Sequence, residues 1–413
     1  MLLTPWLKKL VRTGNLTVID AGGRRHHFGG SDSPPVTIRL RDRRLHYRLL
    51  LNPDLYLGEA YMDGTLTLEQ GSLYDFLHAC TADMTAIASQ PLQRVRQRLD
   101  RMWKYLQQYN PAPRARNNVA HHYDLSGALF DKFLSADRQY SCAYFPTGHE
   151  SLEEAQYLKQ VHLGAKLLLK PGMKVLDIGC GWGSLAMFLA RESQANVTGV
   201  TLSTEQHHVA REHAAASGLA DRVRFKLLDY RHETGIYDRI VSVGMFEHVG
   251  VRHYREFFDK IRSLLTTDGI AVIHSIGRMA GPGTTNAWIR KYIFPGGYAP
   301  ALSEVLKVVE RTGLFVTDIE VLQLHYADTL REWGRRFAQH RDEIKALYDE
   351  RFCRMWEFYL TVSEIAFRTL DQMVFQLQLV RRKEAVPRTR DYVMEWERQV
   401  LSDMSPSRKK RQA

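Results

Sequence analysis

The sequence predicts a doubly wound α/β sheet preceded by a small α+β module. From about Asn117, apolar strand patterns alternate with amphipathic helical ones, the signature of that architecture. With 413 residues the chain is long enough for more than one core. At 44% hydrophobic and 25% charged it has the composition of a folded globular protein, not a disordered one. Lys plus Arg number 57 against 46 Asp plus Glu, a net charge of +11 that favours nucleic acid or an anionic membrane as partner. Cys80, Cys142, Cys180 and Cys353 are widely separated and form no C-x-x-C pair, so neither a disulfide framework nor a metal site is suggested. No apolar run is long enough to span a bilayer, and Lys8 and Lys9 interrupt what would be a signal peptide's apolar region. The expected location is therefore the cytoplasm, free or lying on the inner face of the membrane.

Taken in order, residues 1–90 mix alternating segments, Val36-Thr-Ile-Arg-Leu and Leu45-His-Tyr-Arg-Leu, with helical patterns and an Asp63-Gly64 turn. Residues 91–116 form a linker. Leu92, Val95, Leu99, Met102 and Leu106 repeat at helical steps among Arg94, Arg96, Arg98, Arg101 and Lys104, and Asn110-Pro-Ala-Pro113 ends the run. Such a helix suits a membrane interface or a connector packed on the next domain. Residues 117–400 are the expected catalytic domain. Its strands are read at 173–178, 196–202, 223–228, 237–243 and 269–276, with helices from Ser184 and from Ser203 to about Ser217. After Asp342 a long helical stretch carrying Ile344, Leu347, Phe352, Met355 and Tyr359 is expected to pack on that sheet. Residues 401–413 form a basic tail with Arg408-Lys-Lys-Arg411.

The strongest motif is Val175-Leu-Asp-Ile-Gly179-Cys-Gly181-Trp-Gly183-Ser, an apolar strand entering three alternating glycines and then a helix. Such a turn lets backbone approach a ligand closely. The spacing is G-x-G-x-G rather than G-x-G-x-x-G, Asp177 precedes the loop, and the next strand ends in Thr201-Leu-Ser203 without the acid that holds an adenosine ribose. These details favour S-adenosylmethionine over a dinucleotide, with a structural glycine turn as the plainer alternative.

Flanking motifs follow in order: His122-Tyr-Asp-Leu-Ser126, Tyr140-Ser-Cys-Ala-Tyr-Phe145, Gly199-Val-Thr-Leu-Ser-Thr-Glu-Gln206, Gly244-Met-Phe-Glu-His-Val-Gly250 and Tyr292-Ile-Phe-Pro-Gly-Gly297. Together with the glycine turn they resemble the cyclopropane-fatty-acyl-phospholipid synthases, relatives of the mycolic acid cyclopropane synthases, from about Asn117 to about Val380. The N-terminal module resembles the extra domain of the phospholipid-modifying branch. The resemblance implies a Rossmann-like methyltransferase sheet. It also implies methylene transfer from S-adenosylmethionine to a cis double bond through a carbocation that a bound bicarbonate deprotonates. An alkene is a poor nucleophile, so such catalysis depends on alignment in a dry pocket.

By the same resemblance, Cys142, Glu247, His274 and Tyr326 surround the bicarbonate, with backbone groups near Ser275 and Ile276. Tyr140 and Ser141 take the methionine end of the cofactor, and Gly179 and Gly181 line it beside Asp177. Thr201 and Gln206 reach the ribose, and Asp229, Tyr230 and Arg231 the adenine. Mycobacterial members carry a Trp-Glu pair at that last place. Many members also have a cysteine where this chain has Ser363, so a thiol there is not required. Each residue has a plainer reading: His274 as a core histidine, Cys142 as a small buried residue, Tyr326 as a packing aromatic. Phe246, Phe294 and Tyr298 are candidates for the acyl slot or for core packing.

The implied partners are unsaturated phospholipid acyl chains and anionic lipid, with dimerisation as an expectation from the resemblance. Docking elements are Leu2, Leu3, Trp6, Leu7 and Leu10 beside Lys8, Lys9 and Arg12, the basic helix, and the tail. A related lipid C-methyltransferase making a methyl or methylene branch is the alternative. A nucleic-acid methyltransferase is disfavoured because its Asn/Asp-Pro-Pro-Tyr/Phe and Pro-Cys signatures are absent.

Overall fold

The computed structural model describes residues 1–30, 33–81 and 127–402. The expected basic helix at 91–116, the motif His122-Tyr-Asp-Leu-Ser126 and the tail's Arg408-Lys-Lys-Arg411 lie outside them. The described residues form two compact units that interleave along the chain. One draws on Met1–Leu106, Gly283–Pro295 and Leu330–Asp371, the other on Gln107–Pro282, Gly296–Thr329 and Gln372–Ala413.

The first unit contains a four-stranded sheet of β1 (Asn15–Ile19), β2 (Arg25–Gly29), β3 (Pro35–Leu40) and β4 (Leu66–Gln70), in the order β2-β1-β3-β4. Leu16, Val18, Ile38, Leu40 and Leu66 supply its buried side chains. Leu45-His-Tyr-Arg-Leu is not a strand but part of the helix Leu45–Leu51, because Leu45 and Leu49, one turn apart, are the residues it buries. Of the N-terminal leucines read as docking residues, Leu3, Leu7 and Leu10 are core, and only Leu2 stays exposed. The long C-terminal helical stretch divides at Asp349, whose carboxylate accepts from the Phe352 N–H at 2.6 Å and caps the helix Glu350–Thr369. This helix was expected on the large sheet. It packs instead on the helices Pro53–Met62 and Leu73–Thr81, where Tyr61 donates to Glu357 at 3.1 Å and Trp288 meets Phe358 edge-on at 4.8 Å.

The second unit is built on seven strands: β5 (Lys174–Ile178), β6 (Asn196–Thr201), β7 (Val223–Leu227), β8 (Tyr237–Val243), β9 (Leu265–Arg278), β10 (Phe315–Leu322) and β11 (Gln372–Val380). Their order is β10-β11-β9-β8-β5-β6-β7. From β7 to β9 every pairing is parallel, while β11 runs antiparallel to both β9 and β10. Adjacent residues on a strand point to opposite faces, and both faces here are apolar. Val175, Val197, Val241 and Val272 join one buried cluster, and Leu176, Val200, Ile240 and Ile273 the other. Helices Leu152–Lys166 and Ser184–Ser193 cover the first face, and helices Tyr254–Leu264 and Leu302–Val309 the second. This confirms the doubly wound sheet. Strands β10 and β11 were not read from the sequence. The chain leaves β5 for β6 on one side and returns to β8 on the other, so the carboxyl ends of β5 and β8 flank a topological switch point, where ligands bind in such sheets.

Candidate active site

A cavity of about 170 Å³ opens at that switch point. Its floor is the glycine turn. Gly181 has φ +55, and a Cβ built on it would meet nothing within 4 Å, so the backbone faces open space. Gly183 has φ +86 and N-caps the helix Ser184–Ser193, and a Cβ there would run into the Phe225 ring. The turn therefore combines an open cradle with a close helix–strand contact.

All ten residues assigned to the cofactor from the sequence, Tyr140, Ser141, Asp177, Gly179, Gly181, Thr201, Gln206, Asp229, Tyr230 and Arg231, line this one cavity. Their local chemistry fixes them in place. The Thr201 hydroxyl donates to Gln206 Oε1 at 3.0 Å, while Ser203, between them, caps the following helix by accepting from the Gln206 N–H. Asp229 accepts from Arg231 through Nε at 3.0 Å and the terminal guanidinium nitrogen at 2.7 Å. Burial alone would raise the Asp229 carboxyl, but Arg231 outweighs it and holds the pKa below its ordinary value. Phe130, in the helix Gly127–Phe133, supports Tyr140 and Trp182 with ring centroids 5.4 and 5.1 Å away.

Sequence reading missed other wall residues, among them Arg138, Gln139, Lys159, Trp182, Met245 and His248. Lys159 lies in a helix opened by the Ser151/Glu154 capping box, where a lysine ordinarily reads as solvated. Its Nζ instead donates to Ser141 Oγ at 2.8 Å, and one turn earlier Gln156 donates to the Ser141 carbonyl at 3.0 Å. Burial brings Lys159 down to about 8 and raises Asp177 to about 7. Asp177 Oδ2 has no hydrogen-bond partner. An unpartnered buried carboxylate oxygen, beside the open backbone at Gly181, fits a polar ligand such as the amino-acid end of S-adenosylmethionine.

Cys142, Glu247, His274 and Tyr326 are all buried, and none lines this cavity, although their neighbours Ser141, Met245 and His248 do. Hydrogen bonds made by them or by their neighbours relate them in two pairs. Glu247 sits in the turn Phe246–His248 after β8, and its Oε1 accepts from the Ile276 N–H at 2.6 Å, two residues beyond His274 on β9. Its Oε2 is buried without a partner. Burial raises this carboxyl to about 7. His274 is held well below its ordinary pKa by burial, so its ring is neutral, and Gln376 on β11 donates to its Nδ1 at 3.2 Å. Ala143, beside Cys142, donates its N–H to Thr329 Oγ1 at 3.0 Å, and Thr329 shares the helix His325–Gln339 with Tyr326. Burial drives the Cys142 thiol far up, as befits a weak donor rather than a nucleophile.

Of the acyl-slot candidates, Phe246 is core, fully buried with its ring stacked on Tyr254 at 4.5 Å. Tyr298 is buried and donates to Glu304 at 2.6 Å, and Phe294 packs edge-on against Tyr359 at 5.9 Å. Ser363 is half-buried on the helix Glu350–Thr369.

The mycolic acid cyclopropane synthetase family model matches residues 111–377. The chain is 37% identical over 352 residues to the cyclopropane-fatty-acyl-phospholipid synthase of Escherichia coli, covering 85% of this chain and 90% of that one. It is 42% identical over 280 residues to the tuberculostearic acid methyltransferase of Mycobacterium tuberculosis, covering 65% of each. A mycolic acid cyclopropane synthase crystallised with SAH and CTAB superposes with a TM-score of 0.61 at 34% identity, over 66% of this chain and 99% of that one. With these matches resting on the same glycine-turn sheet, the chain belongs to the mycolic acid cyclopropane synthetase family of S-adenosylmethionine-dependent methyltransferases.

Proposed function

We propose that this enzyme transfers a methylene group from S-adenosylmethionine to the cis double bond of unsaturated phospholipid acyl chains, giving cyclopropane fatty acids. The observation that carries the reading is the cavity, at the sheet's switch point, into which ten cofactor-assigned residues converge. The cofactor supplies an electrophilic methyl group when bound. The chain's own residues orient and exclude water: Trp182, Leu185, Val200, Met245 and Val249 give apolar wall between the polar contacts. A bicarbonate would supply the base for ring closure, and the buried polar set fits an anion of that kind. Glu247, carrying its proton near neutrality, offers a hydrogen bond where a carboxylate would repel. With Nδ1 accepting from Gln376, the His274 ring proton sits on Nε2. The Tyr326 hydroxyl would add a donor, as would the Cys142 thiol on turning away from the Ala143 carbonyl, to which it donates at 3.2 Å.

Phospholipid substrate implies peripheral association with the membrane. No described helix is long and apolar enough to cross one. The helix Leu45–Leu51 offers a docking face: Tyr47 and Leu51 are 63% and 76% exposed, Leu50 is also exposed, and Arg43, Arg44 and Arg48 surround them. Apolar residues ringed by arginines complement an anionic lipid surface.

The test is purified protein with S-adenosylmethionine and cis-unsaturated phospholipid vesicles, followed by mass spectrometry and proton NMR of the acyl chains. A gain of one CH₂ with ring protons is expected. The likeness to a tuberculostearic acid methyltransferase favours a second reading, in which the same mass gain appears as a methylene branch or as a methyl branch on a retained double bond. No mass gain on any unsaturated lipid overturns both.

A further inference from the structure

We propose that Lys159 is the charge that holds the carboxylate of the cofactor's amino-acid end, acting with Ser141 and opposite Asp177; this rests on the reading of the cavity as the S-adenosylmethionine site. Four side chains of basic type line that cavity: Arg138, Arg231, His248 and Lys159. Arg138 is taken up by both oxygens of Asp131, at 2.5 and 2.7 Å, and Arg231 by both oxygens of Asp229. Burial pushes His248 down to about 4, so it is neutral. Lys159 remains. It is 2% exposed, and among the described residues no carboxylate lies within ion-pair distance of its ammonium, whose hydrogen bond goes to the neutral Ser141 Oγ. Asp137 acts on it through the field but is itself occupied by Ser135 at 2.7 Å and Gln139 at 2.5 Å.

A buried ammonium with one neutral partner is costly unless something completes it. The other wall supplies the complementary half, since Asp177 brings a carboxylate whose Oδ2 is unpartnered. One cation and one anion in the same small cavity match a zwitterion, and an α-amino acid group is the zwitterion this cofactor carries. Lys159 also occupies Ser141 Oγ as donor, which turns the serine's own O–H outward as a second donor for the same carboxylate. Neutral ligands gain nothing from this arrangement.

The experiment compares two probes by calorimetry on the full chain: S-adenosylhomocysteine, which carries the zwitterion, and 5′-methylthioadenosine, which lacks it. Lys159→Met and Lys159→Gln should weaken S-adenosylhomocysteine binding about ten- to a hundredfold, the range of a charge-assisted hydrogen bond. Both variants should keep methylthioadenosine within about threefold of wild type. Unchanged S-adenosylhomocysteine affinity in either folded variant overturns the proposal. Equal loss of the two probes, or failure of both variants to fold, also overturns it, because the lysine would then be a structural support. Wild-type protein that binds neither probe sinks the reading of the cavity itself, a result separable from the others.

Discussion

Glu247 places two opposing demands on one side chain, since burial favours its neutral form while the Ile276 N–H favours its charge. Burial wins. The folded-state pKa, about 7, lies above the ordinary 4.5, so the folded protein binds the proton more tightly than the unfolded chain does. The stability linked to this group is therefore fully present below pH 4.5 and is lost as pH rises towards and through 7. Glu247→Gln removes the ionisation, and thermal unfolding should show it stabilised relative to wild type at pH 8, by at most about 3 kcal/mol, with little difference at pH 4. In the same variant S-adenosylhomocysteine binding should stay near wild type while turnover slows. Near-wild-type turnover would remove Glu247 from the proton-handling role.

The strand-to-helix turn after β5 shows how a local sequence fixes an element. Gly183→Ala places a Cβ against Phe225 at φ +86, and urea unfolding should show a loss of about 2 kcal/mol or more. Gly181→Ala meets no neighbour, so it should cost less stability while filling the cradle and weakening S-adenosylhomocysteine. This turn and β5, β6, β8 and β9 were legible because buried parallel strands write largely apolar runs, and the edge strand β7 because Val223, Phe225 and Leu227 alternate with Arg224 and Lys226. β11 was not. Its Gln376 and Gln378 interrupt the apolar pattern, yet both are buried, one bonded to His274 and the other to the Lys166 carbonyl. Leu45–Leu51 misled because alternation and an i, i+4 pair coincide within so short a segment. Lys159 was hidden for a related reason, since nothing local distinguishes a lysine facing a cavity from one facing water.

On the scale of the whole molecule, binding to lipid should report the arginine-ringed helix and the net charge of +11. Sedimentation with vesicles should increase with anionic lipid and fall with salt, and Leu51→Glu with Tyr47→Glu should reduce it severalfold. Equal binding to neutral vesicles at every ionic strength would remove the docking face. The chain crosses repeatedly between its two units, and this interleaving escaped a reading that divides sequence into consecutive blocks. β11 pairs with β9 over nine residues, from Gln372 opposite Arg278 to Val380 opposite Ile270. During synthesis β9 leaves the ribosome roughly a hundred residues ahead of that partner, with one backbone edge unsatisfied in the meantime. A nascent chain thus finishes its glycine turn early and waits for the last of its described strands before the histidine opposite Gln376 gains its support, which makes that interval the stage at which a chaperone has most to protect.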